Sequence, residues 1–95
     1  MDDRRRVLVV EDERTIAEAV AARLRAEGFA VDVVHDGPAA VQAARSTRPD
    51  LVILDIMLPG FDGLEVCRSI QAENPVPVIM LTARDDETDL LVGLA

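Results

Sequence analysis

Tryptophan, tyrosine and lysine are absent from this 95-residue sequence, and cysteine occurs once. With two phenylalanines as the only aromatics, a core has to be assembled from Val, Leu, Ile and Ala. The single Cys67 excludes an internal disulfide and fits a reducing compartment. Basic residues are few: ten, all arginine, against 18 acidic ones, for a net charge of −8. That balance argues against a segment that grips nucleic acid, because such a grip requires a basic face to neutralise phosphates. The run Arg4-Arg5-Arg6 is too short, in too acidic a context, to serve as a nucleic-acid arm. Long apolar runs are missing too. Residues 7–10 are too few for a signal-peptide apolar region, and nothing approaches membrane-spanning length. A soluble, cytoplasmic protein with no membrane partner is expected.

What remains is globular in composition: 49% hydrophobic and 29% charged, with five Gly and five Pro spread along the chain. The length allows one small domain with little stability in reserve. Two periodicities alternate. Residues 7–10 form an apolar, β-branched run that predicts a strand. Ile16, Val20 and Leu24 follow at i, i+4 and i+8, with Ala17 and Ala21 beside them, which predicts an amphipathic helix ended by Gly28. Residues 30–34 read as a second strand, and Asp36-Gly37-Pro38 opens a helix that stops before Pro49. Residues 51–54 read as a third strand closed by Asp55. Asp62 with Glu65 three residues on is a capping-box pattern for a third helix, ended by Asn74-Pro75. Residues 77–81 predict a fourth strand, and residues 86–95 the opening turns of a fourth helix. Alternation at this spacing means βαβ units, a parallel sheet and an α/β, doubly wound architecture. Such a sheet works outside the carboxyl ends of its strands.

Those ends are acidic. Glu11, Asp12 and Glu13 follow the first strand, Asp55 closes the third, and Thr82 follows the fourth. If the first and third strands are neighbours, Glu11, Asp12 and Asp55 converge, and carboxylates crowded together repel. A hard divalent cation with oxygen ligands compensates, and Mg²⁺ is usually held by a few carboxylates, a carbonyl and waters. Asp55 is then placed to attack phosphorus in line, and Thr82 to offer its hydroxyl to a phosphoryl oxygen. Taken singly, each signal has a blander reading. An acidic run after a strand is commonly a solvated helix N-terminus, and a Thr there a turn residue. Joint placement at neighbouring strand ends favours the functional reading. His35 is read as a surface histidine away from the cluster, Cys67 as a small core residue, and Phe61 as a shield for the site loop.

Three segments then carry a family resemblance: Val7-Leu8-Val9-Val10-Glu11-Asp12-Glu13, Leu51-Val52-Ile53-Leu54-Asp55-Ile56-Met57-Leu58-Pro59-Gly60-Phe61-Asp62-Gly63, and Pro77-Val78-Ile79-Met80-Leu81-Thr82-Ala83-Arg84. In this order they resemble receiver domains of two-component response regulators, the winged-helix transcription-factor subgroup above all. The resemblance implies a flavodoxin-like receiver fold over residues 1–95, truncated after the fourth strand and the start of the fourth helix. It implies Asp55 as phosphoacceptor, and Mg²⁺ at Glu11, Asp12, Asp55 and the backbone carbonyl of Met57. It further implies Thr82 as switch hydroxyl and a sensor histidine kinase docking near Arg14, Thr15 and Glu18. DNA would be reached only through an effector domain outside this sequence. The family's fifth strand, its lysine and its fifth helix have no counterpart here. If these 95 residues are the whole polypeptide, loss of that strand predicts a bare fourth-strand edge and hence a homodimer or larger oligomer; in a longer parent, later residues of the same chain would cover residues 78–81.

Two rival functions use similar parts. A haloacid-dehalogenase-type phosphatase needs a second Asp two residues after the nucleophile, and Met57 stands there. A flavin or nucleotide binder needs a Gly/Ser/Thr-rich loop after the first strand, where this chain has Glu11-Asp12-Glu13. The expectation is a signalling module, not an enzyme.

Overall fold

A computed structural model describes residues 3–56 and 62–81, together with the backbone of residues 92–94. Its elements are β1 (Arg6–Val10), α1 (Arg14–Ala26), β2 (Ala30–Val34), α2 (Gly37–Thr47), β3 (Leu51–Asp55), α3 (Gly63–Glu73), β4 (Val78–Leu81) and β5 (Val92–Leu94). The sheet runs β2-β1-β3-β4-β5. The first four strands are parallel. The winding reverses at β1, which has β2 on one side and β3 on the other, so a crevice opens between the carboxyl ends of β1 and β3.

Burial explains the apolar strands. Leu8 and Val10, Val52 and Leu54, and Val78 and Met80 alternate onto one face, where Ala40, Ala44, Val66, Cys67 and Ile70 of α2 and α3 close over them. Cys67 is thus a core residue, as expected. Val7 and Val9 point to the other face and are equally buried. On α1 the fully buried residues are Ala17 and Ala21, whereas Ile16 is 44% exposed and Val20 and Leu24 are half-buried. The stripe expected to be the centre of the contact therefore flanks it, because alanine lets the helix lie closer to the sheet.

Helix ends follow local chemistry. Asp36 accepts the Ala39 N–H at 2.8 Å, and Asp62 accepts the Leu64 N–H at 2.9 Å. The capping box at Asp62 is half formed, since Glu65 turns to Arg68 at 3.0 Å. Gly28 takes φ 101° just beyond α1, a conformation that glycine adopts without strain.

One expectation is corrected. Of the helix expected over residues 86–95, residues 86–91 and 95 lie outside the described residues, and residues 92–94 instead form a strand antiparallel to β4, with Met80 opposite Val92 and Val78 opposite Leu94. An unpaired strand edge offers a row of N–H and C=O groups, and an apolar segment of the same chain takes them. The β4 edge is therefore covered, and the reason given for self-association no longer holds. β5 runs antiparallel to β4 and holds no lysine.

Candidate functional site

The register of β1 on β3 places Val10 beside Leu54, so the residues that follow, Glu11 and Asp55, come out side by side at the crevice. The backbone of Glu11 is still tied to the sheet: its N–H donates to the Val34 carbonyl at 3.1 Å. Glu11 and Asp55 are 7% and 5% exposed, the only buried charged residues among those described. Asp12 is half-buried beside them. Carboxylate oxygens of Glu11, Asp12 and Asp55 lie within 4.8 Å of one another. The convergence expected from strand order is present.

Crowding has an electrostatic signature. Burial raises the Glu11 carboxyl from 4.5 to about 7; the Glu13 N–H pulls it back, while the Asp55 charge adds to the rise. That N–H donates to Glu11 Oε2 at 3.0 Å, which turns the carboxylate back over the start of α1. Three oxygen donors with no nitrogen or sulfur among them suit a hard divalent cation, and two of the three are buried where their mutual repulsion is least screened. The residues present fit Mg²⁺.

Asp55 is set in place from below by α3. A Cβ built on Gly63, the first residue of that helix, would stand 2.9 Å from Ile56 Cα, 3.1 Å from Ile56 O and 3.3 Å from Asp55 O. Only glycine permits this approach of helix to strand end, a role for Gly63 that its place in a motif does not reveal.

His35 is the second residue that sequence reasoning missed. Far from being a bystander, its Nδ1 lies 2.9 Å from the Glu11 carbonyl oxygen, and its Nε2 lies 3.1 Å from Arg14 Nη1. No local pattern signals this, since the three residues come from β2's end, β1's end and the first turn of α1. Arg14, Thr15 and Glu18 are exposed, as a docking surface requires. Met57, Phe61 and Thr82 lie outside the described residues. No helix among the described residues is long and apolar enough to cross a membrane.

Comparison with known proteins agrees with this geometry. Residues 7–95 match the response regulator receiver domain family. The chain is 50% identical over 91 residues to the DNA-binding response regulator MtrA of Mycobacterium tuberculosis, covering 96% of this chain and 40% of that protein. It is 52% identical over 88 residues to the sensory transduction protein RegX3 of the same species, covering 93% and 39%. Among solved structures, response regulator protein TrrA from Thermotoga maritima, in complex with Mg²⁺ and BeF, superposes with a TM-score of 0.80 at 40% identity, over 90% of this chain and 76% of that one. The BeF₃-activated receiver domain of Klebsiella pneumoniae RstA gives 0.78 at 35% identity, over 87% and 71%. The chain thus spans about 40% of the curated relatives' length. The flat exclusion of enzymatic activity is corrected by this match. Receiver domains accept phosphoryl groups, and some also remove their own.

Proposed function

Because this chain belongs to the response-regulator receiver domain family, we propose that Asp55 is its phosphoacceptor and that residues 1–95 are the receiver portion of a two-component regulator. The observation that carries the reading is the convergence of Glu11, Asp12 and Asp55 at the carboxyl ends of adjacent parallel strands. An Asp55 carboxylate oxygen attacks phosphorus in line, an O–P bond forms, and the bond to the donor's leaving group breaks. Asp12 and Asp55 would hold Mg²⁺, with the Met57 carbonyl, and Glu11 would act mainly through water. When bound, the ion neutralises charge on the phosphoryl oxygens. Burial of Glu11 and Asp55 excludes water that would otherwise screen those contacts.

Thr82 is assigned as the switch hydroxyl, drawn toward the phosphoryl oxygens and shifting the population between two states. The donor is a sensor histidine kinase docking on the exposed first turn of α1, at Arg14, Thr15 and Glu18. The output is transcriptional, through a DNA-binding part of the kind named in MtrA, and the working location is the cytoplasm. With a net charge of −8, the receiver itself contributes no DNA grip.

Treatment of the complete protein with acetyl phosphate and Mg²⁺, followed by mapping of the adduct, tests the assignment. Label on Asp55 that vanishes in Asp55→Asn is the expected result. Label that persists elsewhere in Asp55→Asn overturns it.

A further inference from the structure

We infer that His35 is a positioning residue for the acidic pair, acting through the backbone of Glu11. The inference rests on the proposed reading of Glu11 and Asp12 as the metal-holding pair.

Hydrogen-bond chemistry fixes what the imidazole does. An arginine side chain only donates, so His35 Nε2, 3.1 Å from Arg14 Nη1, must accept. The ring then carries its hydrogen on Nδ1, which donates to the Glu11 carbonyl at 2.9 Å. This tautomer is assigned from the partners' chemistry, and it satisfies both nitrogens at once. Glu11 is consequently held on both sides of its Cα. Its N–H is tied to Val34 O at 3.1 Å, and its C=O is tied to the side chain of the next residue along the same strand end. Those two bonds set the direction in which the chain leaves β1, and so where the Asp12 carboxylate comes to lie. Arg14, one helical position beyond the Glu13 cap, closes the ring of contacts by fixing the imidazole plane. The acidic turn between β1 and α1 is therefore clamped to β2 by one side chain. Partners that orient a ligand-bearing segment without touching the ion typically change metal affinity by about 10–100-fold when removed.

Mg²⁺ alone is the probe, followed calorimetrically on the complete protein at one pH, with wild type beside three variants. His35→Ala removes both contacts. His35→Asn puts an amide N–H where Nδ1 stood and keeps the donor to Glu11, while losing Arg14. His35→Gln puts its amide where Nε2 stood and keeps Arg14, while losing Glu11. The dissociation constant is expected to rise about tenfold in His35→Ala and His35→Gln and to stay near wild type in His35→Asn. Urea unfolding without metal supplies the control, since a merely structural histidine lowers stability in all three without this ordering of affinities. If His35→Ala does not fold, the Asn and Gln variants still decide the matter. Equal Mg²⁺ affinity in wild type and His35→Gln, or equal loss in Asn and Gln, overturns the inference and leaves the site reading intact. A wild type that does not bind Mg²⁺ overturns both.

Discussion

Glu11→Gln should make the metal-free protein more stable at pH 8. The carboxyl of Glu11 is raised from 4.5 to about 7, first by burial and then by the charge of Asp55. A folded-state value above the unfolded one means that the group's favourable contribution is fully present below pH 4.5 and is lost as pH rises through about 7. At about 1.4 kcal/mol per pH unit, the whole rise corresponds to roughly 3 kcal/mol. Relaxation of the folded site around the charge takes back part of it, which leaves roughly 1–2 kcal/mol. Glutamine has nearly the same shape and no charge, so it escapes the loss. The stability gap between variant and wild type should therefore open by roughly 1–2 kcal/mol between pH 5 and pH 8, on the order of 5–10 °C in Tm for a domain of this size. With no Trp or Tyr in the sequence, far-ultraviolet circular dichroism is the signal to follow in EDTA. Adding Mg²⁺ should reverse the ranking, because binding to the folded form contributes about 2.7 kcal/mol at a hundredfold excess over Kd and the variant gives up part of it. A gap independent of pH, or a variant less stable than wild type at pH 8 without metal, would refute the electrostatic account of this cluster.

Two further substitutions probe the scaffold. Gly63→Ala places a methyl 2.9 Å from Ile56 Cα, so helix or strand end must shift. We expect a loss of about 1–3 kcal/mol in urea unfolding together with weaker Mg²⁺ binding; unchanged affinity would show that Asp55 does not depend on this approach. Leu54→Ala empties a fully buried position between β3 and the α2–α3 layer, at a cost of about 2–5 kcal/mol; a loss under 1 kcal/mol would mean that the core collapses around the gap.

The parallel sheet was legible because its strands carry their own signature. Runs such as Val7-Leu8-Val9-Val10, apolar at every position, occur where both faces are covered, and three of them separated by helical periods leave few other architectures. The α1 contact was less legible. Periodicity marks Ile16, Val20 and Leu24 and Ala17 and Ala21 as one broad apolar surface, but which stripe faces the sheet depends on how closely the helix can approach. Residues 92–94 failed for a related reason. Their strand state comes from the hydrogen-bonding row of β4 rather than from anything in Val92-Gly93-Leu94 that excludes a helix.

At the site, the divide falls between residues whose role is their own chemistry and residues whose role is a neighbour. Glu11, Asp12 and Asp55 could be found by position because strand order alone brings them together, and a carboxylate announces what it can bind. His35 announces nothing. Its partners stand 24 and 21 residues away in sequence, one of them a backbone carbonyl that every residue possesses. Gly63 is similar: the requirement is the absence of a Cβ against Ile56 and Asp55, visible only once helix and strand are docked. A pattern can supply the charges of such a site, but the groups that aim those charges act through the backbone of another element. Separating the two kinds of residue therefore requires variants like His35→Asn and His35→Gln, which keep one contact of the ring and remove the other.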